Sequence, residues 1–270
     1  MNEDLAREKK EALLRNLGSK GSLLVAFSGG VDSAFLLAAA HEALGKKVAA
    51  ATARSIIHPD RETDAAVRFA RERGIRHVVF PTREMEIPAF LQNGPDRCYV
   101  CKRHLFECLS GIAKDTGARH VVHGANLDDR ADFRPGMRAA KEAGVAAPLM
   151  KAGLVKEEIR FLSKEMGLTG WDLPAQSCLA TRIPYGDRIT EKKIRMIAAA
   201  ETVLLEHGFL NVRARHHGAV VRIEVEPARL KDLLADGVRD AVAGALRKIG
   251  FRHVALDLEG YVCGSLNRSL

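Results

Sequence analysis

Cysteines are the residues of this chain with the clearest chemical potential. One of them, Cys178, lies in the stretch QSCLATRIPYG, which Pro184 and Gly186 close and in which Arg182 follows the thiol by four residues. Such a thiol can be a buried core residue, a nucleophile, a donor that gives up its own sulfur, or a ligand to a metal cluster. A nearby arginine favours the thiolate form, which the last three of these roles need.

Two further cysteines, Cys98 and Cys101, have C-x-x-C spacing in RCYVCK. This spacing suits a zinc site, an iron–sulfur cluster or a dithiol redox pair. A four-cysteine zinc site needs a second C-x-x-C, which the sequence lacks. Cys108, on an apolar helix face, and Cys263, in GYVCGS, are predicted to be structural. What remains is a possible three-thiolate set of Cys98, Cys101 and Cys178, with Cys178 acting alone as the alternative.

A phosphate-binding loop is predicted from the segment VAFSGGVDS, residues 25–33. A strand ends, two glycines allow the backbone to approach a ligand closely, and a helix begins with its first amides and its dipole facing an anion. Asp32 adds a carboxylate for Mg²⁺ and Ser33 a hydroxyl for phosphate. The Walker and Rossmann glycine patterns are both absent. The alternative is a Gly-Gly turn followed by a helix N-cap.

The pattern S-G-G-x-D-S resembles the pyrophosphate loop, or PP-loop, of the N-type ATP pyrophosphatases, which are adenine nucleotide alpha hydrolase-like proteins. In that family the loop holds the β- and γ-phosphates of ATP while a substrate oxygen attacks the α-phosphate. The resemblance implies that residues 52–55 receive the adenine and that residues 123–130 lie near the same edge, although Asp128 and Asp129 could instead cap a helix. The implied ATP-binding residues are Ser28, Gly29, Gly30, Asp32, Ser33, Ala53, Gly124, Asn126 and Asp129, with Asp32 also a ligand of Mg²⁺.

Short apolar runs alternate with helical patterns over the first two thirds of the chain, and these elements must position the loop and the cysteines. The predicted strands are 22–28, 47–53, 75–81 and 119–125, and the predicted helices are 32–44, 60–74 and 101–117. The alternation predicts an α/β fold with a doubly wound parallel sheet, in which ligands bind at the carboxyl ends of the strands.

The pattern changes after Gly186, where a long amphipathic helix is followed by two strands around Gly218, further helices and a last strand. This α-β-β-α-β order predicts a smaller C-terminal α+β domain. We therefore expect two domains: an ATP pyrophosphatase domain of residues 1–186, and a substrate and sulfur-transfer domain of residues 187–270.

The chain as a whole resembles the LarE family of ATP-dependent sulfur transferases, which make the nickel-pincer nucleotide cofactor of lactate racemase. The matching segments are SGGVDS, RCYVCKRHLF, HGANLDDRADFRPGMRAAKEAGVAAPL, KEEIR, CLATRIPYG, RARHHGAVVRIEV and LDLEGYVCGSLN. The resemblance implies that ATP adenylates a carboxylate of pyridinium-3,5-biscarboxylic acid mononucleotide and that sulfur then displaces AMP. The product is a thiocarboxylate, and the sequence of steps is repeated on the second carboxylate.

The family delivers sulfur in two ways, and the cysteines decide between them. In one, a single cysteine of the C-L-A-x-R segment is sacrificed and becomes dehydroalanine. In the other, three cysteines hold a [4Fe–4S] cluster whose open iron carries a replaceable sulfide. Cys98, Cys101 and Cys178 stand in the three places, so the resemblance implies the cluster-bearing type. The alternative is that Cys178 is sacrificed and the C-x-x-C pair is accessory.

Four other residues fall on functional positions of the family. Arg213 and Arg215 match substrate-phosphate positions, and because they are two apart on a strand their side chains share one face; a solvated basic strand is the alternative. Glu201 and Asp232 match acidic positions of the active-site region, although each could be a surface helix charge. Arg182 is expected to bind substrate with the two strand arginines. The family pattern is broken at Leu173, where a lysine is expected, and at Ala147, where a serine is expected.

Composition limits the remaining possibilities. A net charge of +8 fits solvated basic faces or an anionic ligand, and 47% hydrophobic residues supply a core without a run long enough for a membrane span. With an odd number of cysteines and a charged N-terminus, we expect a cytoplasmic protein with reduced thiols, no membrane partner and no nucleic-acid partner. The family suggests a homo-oligomer. Rival functions are a tRNA-thiolating enzyme, a GMP- or NAD-synthetase-like enzyme and a non-catalytic nucleotide-binding module.

Overall fold

The computed structural model describes residues 1–130, 135–174, 177–262 and 264–269. The strands are β1 (Leu23–Ala26), β2 (Val48–Arg54), β3 (Arg76–Pro81), β4 (His120–His123), β5 (Arg213–His217), β6 (Val220–Glu224) and β7 (His253–Leu256). The helices are α1 (Glu3–Gly18), α2 (Val31–Leu44), α3 (Asp60–Glu72), α4 (Pro88–Leu91), α5 (Arg97–Thr116), α6 (Pro135–Glu142), α7 (Pro148–Lys151), α8 (Lys156–Glu165), α9 (Glu191–Glu206), α10 (Leu230–Leu234) and α11 (Val238–Ile249). Short 3₁₀ turns include Leu127–Arg130 and Leu179–Arg182.

The first sheet is parallel and has the strand order β3-β2-β1-β4. The chain moves outward from β1 to β3 and then returns to place β4 on the other side of β1. The carboxyl ends of β1 and β4 therefore flank the point where the winding direction reverses, which is where open α/β sheets bind ligands. The predicted doubly wound fold is confirmed.

Helices cover both faces of this sheet because its strands are apolar on both sides. Leu23 and Val25 of β1 enter one core with residues of α1, α2, α3 and α8, and Leu24 enters the opposite core with residues of α5 and α6. Helix α2 follows the loop after β1, and its residues from Ser33 to Ala40 are all buried, as expected of a helix covered on most of its circumference. Its first turn is thereby held rigidly beside the loop that follows β1.

The second sheet has the order β5-β6-β7, with β5 and β6 antiparallel and β6 and β7 parallel. Residues of α9, α10 and α11 pack on one of its faces around Ala214, Val221 and Ile223. The smaller α+β domain that the sequence predicts is therefore present.

The chain divides into two compact units that do not coincide with the predicted boundary near residue 186. The first unit contains residues 1–84 and 98–176, and the second contains residues 85–97 and 177–270. Residues 177–186 thus belong with the C-terminal elements, together with a segment taken from the middle of the chain. The predicted assignment of nucleotide and substrate to the two parts stays a prediction.

Asn93 explains why the second unit includes that middle segment. Its side-chain amide donates to the carbonyl oxygens of Ile183, Pro184 and Asp187, at 3.3, 2.7 and 2.9 Å. Its backbone carbonyl accepts from the amide of Gly186 at 3.0 Å. Asn93 is fully buried and has a positive φ of 58°. One buried amide therefore satisfies the backbone of the I-P-Y-G turn, a long-range contact that leaves no local pattern.

Among the described residues, no helix combines the length and apolar character that a membrane span needs.

Candidate functional site

Hydrogen bonds of the Ser28 and Ser33 hydroxyls stabilise the loop between β1 and α2. Ser33 Oγ donates to the carbonyl of Gly30 at 2.9 Å, lies 3.1 Å from Ser28 Oγ and accepts from the amide of Ser28 at 3.3 Å. Gly29 has φ of +80°, and a Cβ there would lie 3.1 Å from the carbonyl oxygen of Glu62. The loop is thus a preformed turn that leads into the N-terminus of a buried helix, where phosphate groups bind readily.

The two carboxylate oxygens of Asp32, in the first turn of α2, differ in their hydrogen bonding. Oδ2 accepts from the Lys156 ammonium at 2.6 Å, whereas Oδ1 is buried and has no hydrogen-bond partner among the described residues. A buried carboxylate oxygen without a partner is costly, and hard cations such as Mg²⁺ take such oxygens as ligands. Asp32 therefore fits the magnesium ion that ATP brings.

Lys156 begins α8 and was not predicted as a site residue. Its ammonium group lies against the loop through Asp32, although 124 positions separate the two residues. Its backbone amide also donates to Asp128 Oδ2 at 2.8 Å. The only sequence signal was that KEEIR is one of the family-like segments, and nothing local indicated that its lysine meets the phosphate loop.

The segment after β4 packs directly on the start of α2. The amide of Asn126 donates to Asp129 Oδ2 at 3.0 Å, and the amide of Asp128 donates to Asn126 Oδ1 at 2.9 Å. The carboxylates of Asp128 and Asp129 thus accept from the backbone amides of Lys156 and Asn126, which is the capping role that the sequence left open. The role of Asn126 and Asp129 in binding ATP stays a prediction.

Gly124 offers a direct test of this packing. A Cβ at Gly124 would lie 2.9 Å from the amide nitrogen of Ser33 and 3.1 Å from the carbonyl carbon of Asp32, both rigid backbone atoms. We expect Gly124→Ala to lose about 1–3 kcal/mol of stability through overpacking and to raise the KM for ATP. Denaturant unfolding and ATP-dependent kinetics measure the two effects.

Gly111→Ala is the matched control, since a Cβ there meets nothing within 4 Å. It lies in the middle of α5, where alanine is the better helix former, so its stability should be unchanged or increased by up to about 1 kcal/mol. Equal behaviour of the two variants would contradict the tight packing inferred at Gly124.

The end of β2, the predicted adenine position, is tied to both neighbouring strands. Thr52 Oγ1 donates to the carbonyl of Phe27 at 2.7 Å and lies 2.7 Å from His77 Nε2. Ala53 follows and is half-buried, and Ser55 donates to the buried carboxylate of Glu84. The backbone around Ala53 is therefore held in place at the carboxyl edge of the sheet.

Helix α5 begins at Arg97, earlier than predicted, so Cys98 and Cys101 lie in its first turns. Both thiols are partly exposed, in contrast to the described core residues. Cys108 lies farther along, with Sγ 4.0 Å from His104 Nε2, and burial, together with Glu107, raises its thiol pKa. A raised pKa keeps this thiol protonated, as expected of a structural cysteine.

No three Cys, His, Asp or Glu side chains of the described residues come together as ligands of a metal ion. Cys98 and Cys101 belong to the first unit and Cys178 to the second. The thiol donors are of the chemical type that iron–sulfur clusters require, and none of the three forms a disulfide within the described part of the chain. The predicted three-thiolate set therefore stays a prediction. Cys263 lies outside the described residues, as does part of the DDRADFR segment.

Two histidines near the carboxyl edge of the first sheet give a pH prediction. Burial, and after it the positive charge of Lys102, lower the pKa of His58 and of His123 to about 4. In the unfolded chain the same groups titrate near 6.5, so only the unfolded state binds these protons between the two values. We expect the free energy of unfolding to fall as the pH is lowered from 6.5 towards 4.

Denaturant unfolding near pH 7 and near pH 5 tests this expectation. His123→Gln should show a smaller loss between the two conditions than the parent protein. His253→Gln, at the exposed start of β7, is the control and should match the parent. An unchanged pH dependence in His123→Gln would contradict the assignment.

In the second unit, the predicted residues Arg182 and Glu201 form a buried ion pair. Arg182 donates through Nε to Glu201 Oε1 at 2.7 Å and through Nη2 to Oε2 at 3.1 Å. Glu201 is 3% exposed, which rules out the alternative of a surface helix charge. Cys178 precedes the 3₁₀ turn that ends at Arg182 and is partly exposed.

The predicted strand arginines are both buried on the face of β5 opposite Ala214. Arg215 forms a bidentate pair with Glu224 of β6, with distances of 2.9 and 2.7 Å. Arg213 donates to the Val212 carbonyl at 2.7 Å and to the Tyr261 hydroxyl at 3.3 Å, and its guanidinium lies over the Tyr261 ring. Burial, and then the nearby charge of Arg182, lower the pKa of Arg213. The solvated basic strand that the sequence left open is not what the structure has.

Asp232 pairs with none of these residues within the described part of the chain. It lies on the short helix α10 with its side chain 55% exposed, and its carboxylate pairs with Arg229. This is the arrangement of a surface helix charge, the alternative that the sequence left open.

Glu224 and Tyr261 were missed by the sequence reasoning. Glu224 had a usable signal in the sequence. In an antiparallel pairing of the two strands, Glu224 is opposite Arg213 and lies on the same face as Arg215, so a charge pair across the sheet could have been expected. Tyr261 had none, since it lies in an irregular segment after β7.

Comparisons with known proteins add an independent finding. No family model matches the chain. It is 38% identical over 266 residues to the uncharacterized protein slr1717 of Synechocystis, covering 98% of this chain and 99% of that protein. It is 36% identical over 263 residues to pyridinium-3,5-bisthiocarboxylic acid mononucleotide synthase of Lactiplantibacillus plantarum, covering 97% and 95%. It is also 26% identical over 221 residues to a glutamine-hydrolysing GMP synthase of Aeropyrum pernix, covering 75% and 43%.

Proposed function

Since the chain belongs to the LarE family of pyridinium-3,5-bisthiocarboxylic acid mononucleotide synthases, we propose that it converts the carboxylates of the corresponding biscarboxylic acid mononucleotide into thiocarboxylates. It is an ATP-dependent sulfurtransferase with a PP-loop. In the first step a substrate carboxylate oxygen attacks the α-phosphorus of ATP and pyrophosphate leaves. In the second step a sulfur nucleophile attacks the acyl carbon of the adenylate and AMP leaves. A carboxylate needs this activation because it resists nucleophiles.

The observation that carries the adenylation step is the arrangement of Asp32 and Lys156 beside the glycine loop. The loop and the first amides of α2 supply donors for phosphate oxygens, and Lys156 supplies a positive charge 2.6 Å from Asp32 Oδ2. When Mg²⁺-ATP binds, Oδ1 of Asp32 can take the cation as its missing partner. Preformed donors of this kind stabilise the charge that develops as pyrophosphate leaves.

For the substrate, we propose that Arg213 binds the phosphate of the mononucleotide. Its guanidinium is buried near the positive charges of Arg182 and Arg215, and burial first, then these charges, lower its pKa. A bound dianion would relieve the repulsion between the guanidinium groups. Tyr261, under the guanidinium, would keep it in place.

For the sulfur, we propose that Cys98, Cys101 and Cys178 hold a [4Fe–4S] cluster. Such a cluster, held by three thiolates, would offer one iron to an exogenous sulfide. The support lies in the donor type, the partial exposure of the thiols and the C-x-x-C spacing in the first turns of α5. The alternative is sacrifice of Cys178, in which its Cβ–Sγ bond breaks and dehydroalanine remains.

One experiment separates these proposals. The protein is purified and reconstituted without oxygen, analysed for iron and sulfide, and then assayed with ATP, sulfide and the pyridinium biscarboxylate mononucleotide. Pyrophosphate release that depends on the substrate supports adenylation, and repeated thiolation with one cluster per chain supports the cluster. A protein without iron that loses the mass of one H₂S at Cys178 after a single turnover would show the sacrificial mode.

Cys98→Ala is expected to abolish iron binding and repeated turnover, whereas Cys108→Ala, on the same helix, should retain both. Full turnover by Cys98→Ala would refute the three-thiolate assignment.

We also propose that the enzyme acts in the cytoplasm as a homo-oligomer and has no nucleic-acid substrate. Light scattering on the purified protein reports the oligomeric state. Salt-dependent binding of tRNA would instead favour a tRNA-thiolating enzyme.

A further inference from the structure

Two arginines, Arg182 and Arg215, donate hydrogen bonds to the backbone of the turn that carries Cys178. Its backbone is fixed first by Thr181, whose amide donates to the Cys178 carbonyl at 3.0 Å and whose hydroxyl donates to the same oxygen at 2.7 Å. Arg182 Nη1 is a third donor to this carbonyl, at 3.2 Å. Three donors therefore hold the backbone carbonyl oxygen of the residue that bears the thiol.

Arg182 uses each of its three guanidinium nitrogens within the protein. Nη1 also donates to the carbonyl and hydroxyl oxygens of Ser177, at 2.9 and 2.7 Å, and to Thr181 Oγ1 at 2.8 Å. Nε and Nη2 bind Glu201, whose Oε1 also accepts from the backbone amide of Ala214 at 3.1 Å. The Arg182 side chain is 1% exposed, so its guanidinium faces the backbone of the turn and not solvent.

Arg215 makes the same kind of contact from the strand. Its Nη1 donates to the Thr181 carbonyl at 2.8 Å, its Nε and Nη2 bind Glu224, and Nη2 also donates to Ser265 Oγ at 3.2 Å. Glu224 is fully buried. The two arginines therefore bind carbonyl oxygens at both ends of the turn. Each also pairs with a buried carboxylate, Arg182 with Glu201 and Arg215 with Glu224.

We infer that Arg182 and Arg215 are positioning residues that hold the Cys178 turn through its backbone, and that Glu201 and Glu224 orient them. The inference rests on the proposed function and revises the expected substrate-binding role of both arginines and the expected catalytic role of Glu201. Guanidinium groups whose nitrogens all donate inward have little left for a substrate anion. Group transfer is sensitive to position, since an error of about 1 Å at a reacting atom costs roughly a hundredfold in rate.

The test compares the two half-reactions in Arg182→Lys and Arg215→Lys. Lysine keeps the charge but cannot bridge a carboxylate and several carbonyls at once. We expect substrate-dependent ATP–pyrophosphate exchange to keep its KM for the mononucleotide within about twofold, while sulfur transfer slows about tenfold or more. A tenfold rise of that KM with unchanged sulfur transfer would overturn the inference and restore substrate binding.

Thr181→Val is the milder variant, in case loss of a buried ion pair prevents folding. It removes only the hydroxyl that bonds the Cys178 carbonyl and Arg182, and we expect the same separation of KM and rate. Thr202→Val, on the exposed side of α9, is the control and should leave both half-reactions unchanged.

A second measurement is independent of the proposed reaction. In the full-length protein without iron or substrate, the rate at which iodoacetamide alkylates Cys178 is followed by peptide mass spectrometry, with Cys108 as internal reference. We expect Thr181→Val and Arg182→Lys to change the Cys178 rate severalfold and to leave the Cys108 rate unchanged. An unchanged Cys178 rate would overturn the positioning role, even if the chain proved to catalyse a different reaction.

Discussion

Replacement of Cys178 by alanine should reduce thiocarboxylate formation by about a thousandfold or more, as removal of a covalent or group-transfer centre does in other enzymes. Adenylation should continue, because Asp32, Lys156 and the glycine loop are all contributed by the first unit. The measurement is substrate-dependent ATP–pyrophosphate exchange beside the yield of thiocarboxylate. The adenylate would accumulate or hydrolyse, since no sulfur reaches it.

Two controls make this result interpretable. Cys178→Ser keeps the size of the side chain and should be as inactive in sulfur transfer as Cys178→Ala, which separates loss of sulfur from loss of packing. Cys108→Ala should be close to the parent in both half-reactions. Retained sulfur transfer in Cys178→Ala would show that this thiol is neither a ligand of the sulfur-carrying group nor the donor.

Replacement of Lys156 by methionine should slow adenylation about a hundredfold and raise the KM for ATP, because loss of a single preformed donor to developing charge has effects of this size. It also removes the Lys156 hydrogen bond to Asp32 Oδ2, while Oδ1 of the same carboxylate already lacks a partner among the described residues. The reaction is followed by ATP–pyrophosphate exchange at saturating substrate and varied ATP.

Lys151→Met is the matched control, since this exposed lysine ends α7 and carries the same charge. It should retain parental kinetics. If the two variants behave alike, the effect of Lys156 is one of net charge and not of its place beside the loop. Sulfur transfer from an adenylate made in advance should be unaffected in both.

Local patterns were sufficient to predict the phosphate loop and the sheet around it. A strand, two glycines and the start of a helix follow one another within nine residues. The strand has four residues and is apolar, so it can only run through the core of the sheet. The carboxyl ends of parallel strands share one edge, so the sequence alone predicts that the segment after β4 lies near the loop. The contact of Gly124 with Ser33 is the observed form of that expectation.

Contacts between distant segments could not be predicted in the same way. Nothing in KEEIR indicates that Lys156 meets Asp32, and nothing in QNGPDR indicates that Asn93 binds the turn after Cys178. Periodicity shows that Arg213 and Arg215 share a face but not that Arg215 is paired with a buried glutamate. The sequence therefore predicted which residues are gathered in the second unit better than it predicted what each of them touches.

The contacts of Asn93 also have a consequence for the order in which the chain can mature. Asn93 is translated 90 positions before Ile183, so at about 5–20 residues per second its amide waits roughly 5–20 s for the carbonyls that it binds. The elements of the first sheet are complete on the ribosome before that time, whereas the second unit is not. A nascent chain arrested before residue 183 should therefore leave the segment of residues 85–97 open to protease, and release of the arrest should close it.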